Sequence, residues 1–567
     1  MSRHEGRRGV LCQRVTRRTM LRGAVGGALG GASLAWGGFG CGNSNVGEVT
    51  PSSGSGVVRK MPGETATASP TVLSPRPGGT VNLCMSSQMT DLGAHVGSAN
   101  GSTTNTFVHD HLISYDSSTG RYETLLAQSV ENPDPLTYIF KIKPTAKFHN
   151  LPPVNGRQVT ADDVIASWKA YVDNPRTGNK GLFLNVDHYE TPDQATLVVK
   201  MKQPNAWALS GSGFADGLST VVLPKEIVDK MDTVAVGAGA YHLEKFDPAS
   251  WISFVKRPDP WHEPGRPYIN RVTYQVITDP AARAAALKAK QIDSLVARDK
   301  LEADEFKNYG PDMQVDRELS YPSSIQLRAD RDGWFYDPRI REAIYNAIDV
   351  KGLIDLVELG EGEVSGPLMP YLTKWVLPAD ELWKAYPHDV AKAKQLLAAG
   401  NWDFNREVEL KYPADATQAL FAEGVQRQLS AVGIRIRLVP LDSATAYAPQ
   451  VIRARDYQMT TRIRVNLWKD PDATLRLFTT DGTGGGNYQR WSDPEVDAIV
   501  AKQAVEFDPE KQRQIIIDAQ RLLLKKFAPC MFVYCPYVYT ARWGYYHPAT
   551  NTGSIGAWGH YGWTEKA

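Results

Sequence analysis

Five times in this chain an aspartate stands directly before a proline at the head of a helical pattern: Asp279-Pro280, Asp337-Pro338, Asp470-Pro471, Asp493-Pro494 and Asp508-Pro509. The aspartate carboxylate accepts amide hydrogens that the first helical turn leaves orphaned. Proline, with no amide to lose and φ already near the helical value, fits the first helical position. Each pair therefore fixes where a helix starts and prevents one from running through it. A chain punctuated in this way folds as many short helices, not as a long coiled coil.

Strands fall between the helices. GGTVNLCM (78–85), LTYIFKIK (136–143) and ATLVVKM (195–201) read as strands, the second by strict alternation. TADDVIASWKAYV opens with Thr160 and Asp163 at capping-box spacing, and Val164, Ile165, Trp168, Tyr171 and Val172 share one helical face. The last Asp-Pro helix is expected to bury Ile515, Ile516, Ala519, Leu522 and Leu523. No repeat of 20–50 residues is visible, so the chain reads as mixed α/β with more than one lobe.

The 567 residues carry a net charge of only +1, which gives no broad field for nucleic acid. The distribution is uneven. Residues 1–40 hold seven arginines against the single acid Glu5, so the remainder lies near −5. A short, glycine-diluted apolar run, MLRGAVGGALGGASLAWGGFG, follows the basic stretch and reads as an export signal, not a spanning helix. Arg17 and Arg18, in TRRTMLR, resemble the twin-arginine signal that routes folded proteins across a membrane. Cys41 closes the run and is read as a lipid attachment site. Gly40 supplies the small residue before it, although the leucine usual further upstream is missing. Residues 42–77, rich in Gly, Ser, Thr and Pro, read as a disordered tether. The expected location is extracytoplasmic, anchored to the membrane through Cys41.

Cys530 and Cys535 lie in an extended run, where five residues span about 16 Å. That is too far for a disulfide between them without a turn. Free buried thiols are expected, with Cys84 the alternative partner for either. His109 and His111 share a face only if extended; packing or hydrogen bonding is the expected role, and no metal is assigned. Gly-x-Ser-x-Gly, His-Glu-x-x-His and phosphate-loop patterns are absent. DGTGGGN (481–487) lacks the Gly-Lys-Ser/Thr of a phosphate cradle and reads as a flexible loop. No catalytic constellation assembles, so an enzyme is not expected and no cofactor is implied.

The run LISYDSSTGRYETLLAQSVENPDPLTYIFKIKPTAKFHN followed by GRQVTADDVIASW resembles the extracytoplasmic peptide- and nickel-binding proteins of ABC importers. VGAGAYHLEKFDP, YDPRIREAIYNAIDVKGL and SDPEVDAIV agree in order and spacing. The resemblance spans about residues 78–567. It implies a two-lobed periplasmic-binding-protein-like α/β fold (type II, cluster C) with an extra domain inserted in the first lobe. Residues 78–111, 225–318 and 529–567 would form lobe I, 112–224 the inserted domain II, and 319–528 lobe III. The implied function is capture of a small peptide or small molecule between lobes by hinge closure, and delivery by a monomer to ABC permease transmembrane subunits. An oligosaccharide importer component, a secreted hydrolase and a ligand-sensing receptor are the alternatives.

QMTTRIRVNLWKDPD (458–472) lies where this family lines its cleft. Thr460, Arg462, Arg464 and Asn466 form one period-two face; Thr461, Ile463, Val465 and Leu467 form an apolar one expected to meet a core. In many peptide binders an aspartate three residues before the Asp-Pro holds the ligand's α-ammonium; here that position is Leu467. Arginine forks suit carboxylates, so the expected ligand is a small peptide or polar solute bearing an acidic group. Asp470 is assigned mainly to helix capping. Ligand contacts are expected from Arg462, Arg464, Asn466, Trp468, Trp375, Tyr321, Ser323, Gln326, Asn487, Met85 and Gln88.

Overall fold

The computed structural model describes residues 74–566, except 90, 94–98, 117–120, 176, 178–179, 218, 262–264, 462–469, 482–486 and 549–561. Arg17, Arg18, Cys41 and most of the tether therefore lie outside the described residues, as does the core of the glycine-rich loop.

All five Asp-Pro pairs start helices, and each aspartate caps. Asp279 accepts from the Ala282 amide at 2.7 Å, Asp337 from Arg339 at 2.8 Å, and Asp470 from Ala473 at 3.1 Å. Asp493 and Asp508 each accept from two amides, those of Glu495 and Val496 and those of Glu510 and Lys511. The local chemistry suffices here because both residues of the motif act on their own turn.

The first body holds a four-stranded sheet ordered Thr80–Met85, Arg271–Val276, Trp251–Lys256, Tyr241–Asp247, parallel in its first pair and antiparallel thereafter. Phe107 stacks on Phe254 at 4.7 Å in its core. A second sheet, ordered Ala127–Asp134, Thr137–Ile142, Thr196–Met201, Val186–Asp193, is wholly antiparallel. Helix Ala161–Asp173 packs on it, with Trp168 fully buried against Phe214 at 5.3 Å. The capping box forms: Asp163 Oδ2 accepts from the Thr160 amide at 2.9 Å and its hydroxyl at 2.8 Å. Arg157 clamps the same carboxylate at 2.7 and 2.8 Å, which holds Asp163 below the usual carboxylate range against the opposing effect of burial.

The two bodies are joined tightly. Val236 and Ala238 of the chain leading back to the first sheet belong to the antiparallel body's core. A Cβ on Gly239 would sit 2.5 Å from Phe107 O and 2.6 Å from the Val108 carbonyl carbon, so only glycine allows this backbone approach. Arg257 directly follows the first body's strand Trp251–Lys256, and its fully buried side chain reaches the antiparallel body, donating to the carbonyls of Lys147 (3.1 Å), Phe148 (3.1 Å) and Ala238 (3.2 Å).

The largest sheet is mixed, ordered Ser294–Val296, Cys530–Trp543, Ser323–Leu327, Met459–Thr461, Glu407–Pro413, Arg435–Leu441. Helices Pro338–Ala347, Val350–Glu358, Val390–Ala399 and Ala416–Ala431 cover it around Ile344, Leu353, Leu397 and Val425. Helix Pro509–Lys525 differs from the expected face. Its buried residues are Gln512, Ile516, Ile517, Ala519, Gln520 and Leu523, while Ile515 and Leu522 are only half-buried. Ile517 joins one apolar cluster while Ile516, Ala519 and Leu523 join another, so the buried face is broader and rotated. The two glutamines are buried because each has a backbone acceptor: Gln520 donates to Trp375 O at 2.6 Å and Gln512 to Gln503 O at 3.2 Å.

Cys84, Cys530 and Cys535 are free. His111 Nε2 lies 3.0 Å from Gly217 O, a hydrogen bond as expected, and among the described residues no cluster of three or more His, Cys, Asp or Glu is arranged for a metal. Among the same residues no helix is long and apolar enough to cross a membrane.

Candidate ligand-binding site

The long strand Cys530–Trp543 belongs to two bodies. Its second half pairs with Met313–Leu319 and Ser294–Val296, its first half with Ser323–Leu327 and Gly362–Val364. Leu319 pairs with Tyr537 and Ser323 with Tyr534, while the residues between them leave the regular ladder. There the Ser320 amide donates to Pro536 O at 2.8 Å. Pro322 and Pro536 have no amide to donate, so the ladder is thinnest where the chain crosses from one body to the other, in both directions. A thinned pair of crossing segments is where two packed bodies bend with least loss.

Beyond the crossing, Glu407–Pro413, Arg435–Leu441 and Met459–Thr461 run parallel. Their carboxyl ends, Pro413, Leu441 and Thr461, share one edge, the edge at which open α/β sheets bind ligands. Met459–Thr461 is the inner strand of the three, flanked by Ser323–Leu327, and leads into 462–469. Thr460 and Thr461 are both fully buried. The expected contrast between a donor face beginning at Thr460 and an apolar face beginning at Thr461 is therefore absent here. The strand is interior, and each hydroxyl finds a partner: Thr460 donates to Lys411 O at 2.7 Å, Thr461 to Gln418 Oε1 at 2.8 Å. Arg462, Arg464, Asn466, Trp468 and Leu467 lie outside the described residues.

The other expected contacts divide into groups. Ser323 and Tyr321 occupy the crossing, Ser323 buried and Tyr321 42% exposed. Gln326 is buried, donates to Ser324 Oγ at 3.2 Å and accepts from Gln489 at 2.7 Å. Asn487 closes its own loop, donating to Thr480 O and Trp491 O and accepting from the Trp491 amide. Gln326 and the Asn487 loop are thus linked to each other through Gln489. Met85, half-buried, ends the first strand, and Gln88 is exposed just beyond it. Trp375 is half-buried and meets Trp207 edge-on at 5.4 Å.

Trp207 belongs to the antiparallel body's segment 204–216, which carried no sequence pattern to single it out. Its neighbour Ala208 and the nearby Phe214 are fully buried in that body's core. Trp207 itself packs with Leu368, Met369, Leu372, Leu475 and Trp491 of the larger body. Its indole donates to Gln503 Oε1 at 2.8 Å, and the Ala206 amide donates to Ala504 O at 2.8 Å. Asp470 Oδ2 accepts from the Ser212 amide at 2.7 Å and lies 3.0 Å from Ser210 Oγ. Capping accounts for Oδ1 of Asp470; Oδ2 reaches the other body. Burial and the neighbouring Asp472 carboxylate push Asp470 up to about 6, with these hydrogen bonds pulling it partway back. A Trp beside small polar residues in an aperiodic stretch was the only signal available.

Residues 121–486 match the family described as bacterial extracellular solute-binding proteins, family 5 Middle. The oligopeptide-binding protein AppA of Bacillus subtilis is 25% identical over 474 residues, covering 76% of this chain and 82% of that one. Among solved structures, the periplasmic binding protein AgaA of A. tumefaciens R10, in complex with agropinic acid, superposes with a TM-score of 0.74 at 22% identity. It covers 86% of this chain and 99% of its own. The ABC transporter-associated periplasmic binding protein DppA of Helicobacter pylori, in complex with the peptide STSA, gives 0.73 at 21% identity, covering 87% and 99%.

Proposed function

This chain belongs to the bacterial extracellular solute-binding proteins of family 5, and we propose that within that family it captures a small peptide or another polar solute bearing an acidic group. It is an extracytoplasmic solute-binding protein of the ABC-transporter peptide/nickel type, with the two-lobed α/β fold of its relatives. The observation carrying the finer reading is the chain segment that leaves the carboxyl end of Met459–Thr461. It carries Arg462 and Arg464, with leucine where an α-ammonium-holding aspartate would stand. Arginine's planar fork suits a carboxylate, and open α/β sheets bind ligands at the carboxyl ends of their strands. The reading is supported by AgaA, which shares the fold and is solved in complex with agropinic acid.

Ligand contacts in the proposal come from Arg462, Arg464, Asn466, Trp468 and Trp375 on the larger lobe and from Met85 and Gln88 on the other, with Tyr321 and Ser323 at the crossing. Gln326 and Asn487, which also make the internal hydrogen bonds described above, complete the proposed set. The protein acts as a monomer held to the membrane by a lipid on Cys41, after export through Arg17 and Arg18, and hands its load to permease subunits. Capture makes and breaks no covalent bond.

A thermal-shift screen of short peptides, other carboxylate-bearing solutes and neutral oligosaccharides tests this. A ligand at 100 times its Kd stabilises by about 2.7 kcal/mol, which a melt resolves. Stabilisation by carboxylate-bearing solutes is expected. Stabilisation by neutral oligosaccharides alone would overturn the acidic-ligand reading and leave the family assignment intact.

A further inference from the structure

We propose that segment Asn205–Asp216 is a latch: it joins the two lobes directly, so that part of the closure free energy comes from the protein's own contacts and not from the ligand. The geometry divides adjacent residues between bodies. Ala208 and Phe214 anchor the segment in the antiparallel body, where Phe214 stacks on Trp168. Trp207 points the other way and is, among the described residues, the single member of the larger lobe's Leu368–Trp491 cluster that comes from before residue 319. A Cβ on Gly213 would fall 2.2 Å from Ala208 O, so the turn that separates the two anchors requires glycine there.

The polar contacts form a connected set. The Trp207 indole donates to Gln503, Gln503 Nε2 donates to Asp472 Oδ1 at 2.5 Å, and Arg476 Nε donates to Asp472 Oδ2 at 2.7 Å. Two backbone amides of the segment, Ala206 and Ser212, donate across to Ala504 O and Asp470 Oδ2. Each of these acceptors belongs to the lobe that the crossing at Ser320–Pro322 and Pro536 separates from the segment. Gly237, Gly239 and Arg257 fuse the antiparallel body to the first one, so opening at the crossing pulls the segment off as a unit. A buried tryptophan ringed by satisfied hydrogen bonds is the kind of contact that dominates an interface.

The latch rests on the reading of capture by closure, and its test needs no ligand, so a failed ligand screen and a failed latch are separate results. Hydrogen exchange by mass spectrometry on the full chain, without added solute, would follow the amides of Ala206 and Ser212 and the helix Pro471–Leu475. Trp207→Ala is expected to lower protection at all three roughly tenfold, and Trp207→Phe, which keeps the ring and loses the indole donor, to lower it less. Protection in Thr137–Ile142 and Thr196–Met201 is expected to stay unchanged, and the radius of gyration from small-angle scattering to rise in Trp207→Ala. Unchanged exchange at Ala206 and Ser212 in both variants would overturn the latch. So would raised exchange spread through the whole antiparallel body, which would make Trp207 a fixed part of the fold.

Discussion

Arg257→Met tests whether the antiparallel body and the first body move as one. Arg257 follows the first body's strand, and its fully buried guanidinium is held by carbonyls of the antiparallel body. Not every acceptor suffers equally when it is removed. Ala238 O also accepts from Trp261 Nε1 at 2.9 Å, and Gly239 O is 3.0 Å from His149 Nε2, so both keep a partner. Lys147 O and Phe148 O have no second partner among the described hydrogen bonds; the Lys147–Gln158 bridge pairs through its neighbours. Phe148 is buried and Lys147 exposed, so one stranded buried carbonyl, at about 1–3 kcal/mol, puts the loss at roughly 2 kcal/mol. The ion pair to the 44% exposed Asp259 adds little. Methionine replaces the stem volume, so cavity formation is a minor part. Urea unfolding monitored by tryptophan fluorescence and by far-UV circular dichroism would measure it. The expected result is a lower midpoint and separated transitions for the two probes. A loss below about 1 kcal/mol with one coincident transition would refute the joint as described.

Three further outcomes follow from the same geometry. His149 is buried between Gly237 and Gly239 with its ring 4.3 Å from His242, and burial first, then His242 and Arg257, hold it well below the ordinary histidine range. Burial and Arg257 lower His242 as well. Their folded forms are neutral, so the unfolded chain takes up protons first, and stability present above about pH 6.5 falls as pH drops below it. Melting temperatures from pH 7.5 to 5.5 should decline, and less steeply in Arg257→Met. Gly239→Ala forces a Cβ into the Phe107–Val108 backbone and should cost about 2 kcal/mol in the same unfolding assay. Arg462→Gln with Arg464→Gln should weaken a carboxylate-bearing ligand roughly tenfold or more by calorimetry while sparing its amide analogue.

What the sequence showed well was local. Asp-Pro caps, the Thr160–Asp163 box and the Val164–Trp168–Tyr171 face need only neighbours within one or two helical turns, and each formed as expected. The family resemblance carried the two-lobed architecture, which the matched relatives share. What stayed hidden depended on distant partners. Gln503 meets Trp207 across 296 residues, and Asp470 meets Ser212 across 258, so neither pairing leaves a spacing to read. Thr460 looked like an outward position because alternation assumes one wet face; an interior strand has none. Gln512 and Gln520 were not among the expected buried residues of their helix, because the carbonyls that satisfy them lie on other segments.

Capture between two lobes is tested most directly by hydrogen exchange with and without the tightest solute from the screen. Added protection is expected on both sides of the crossing: at Thr80–Gln88 on one lobe and at Ser323–Leu327 with Met459–Thr461 on the other. Protection confined to a single lobe would contradict it.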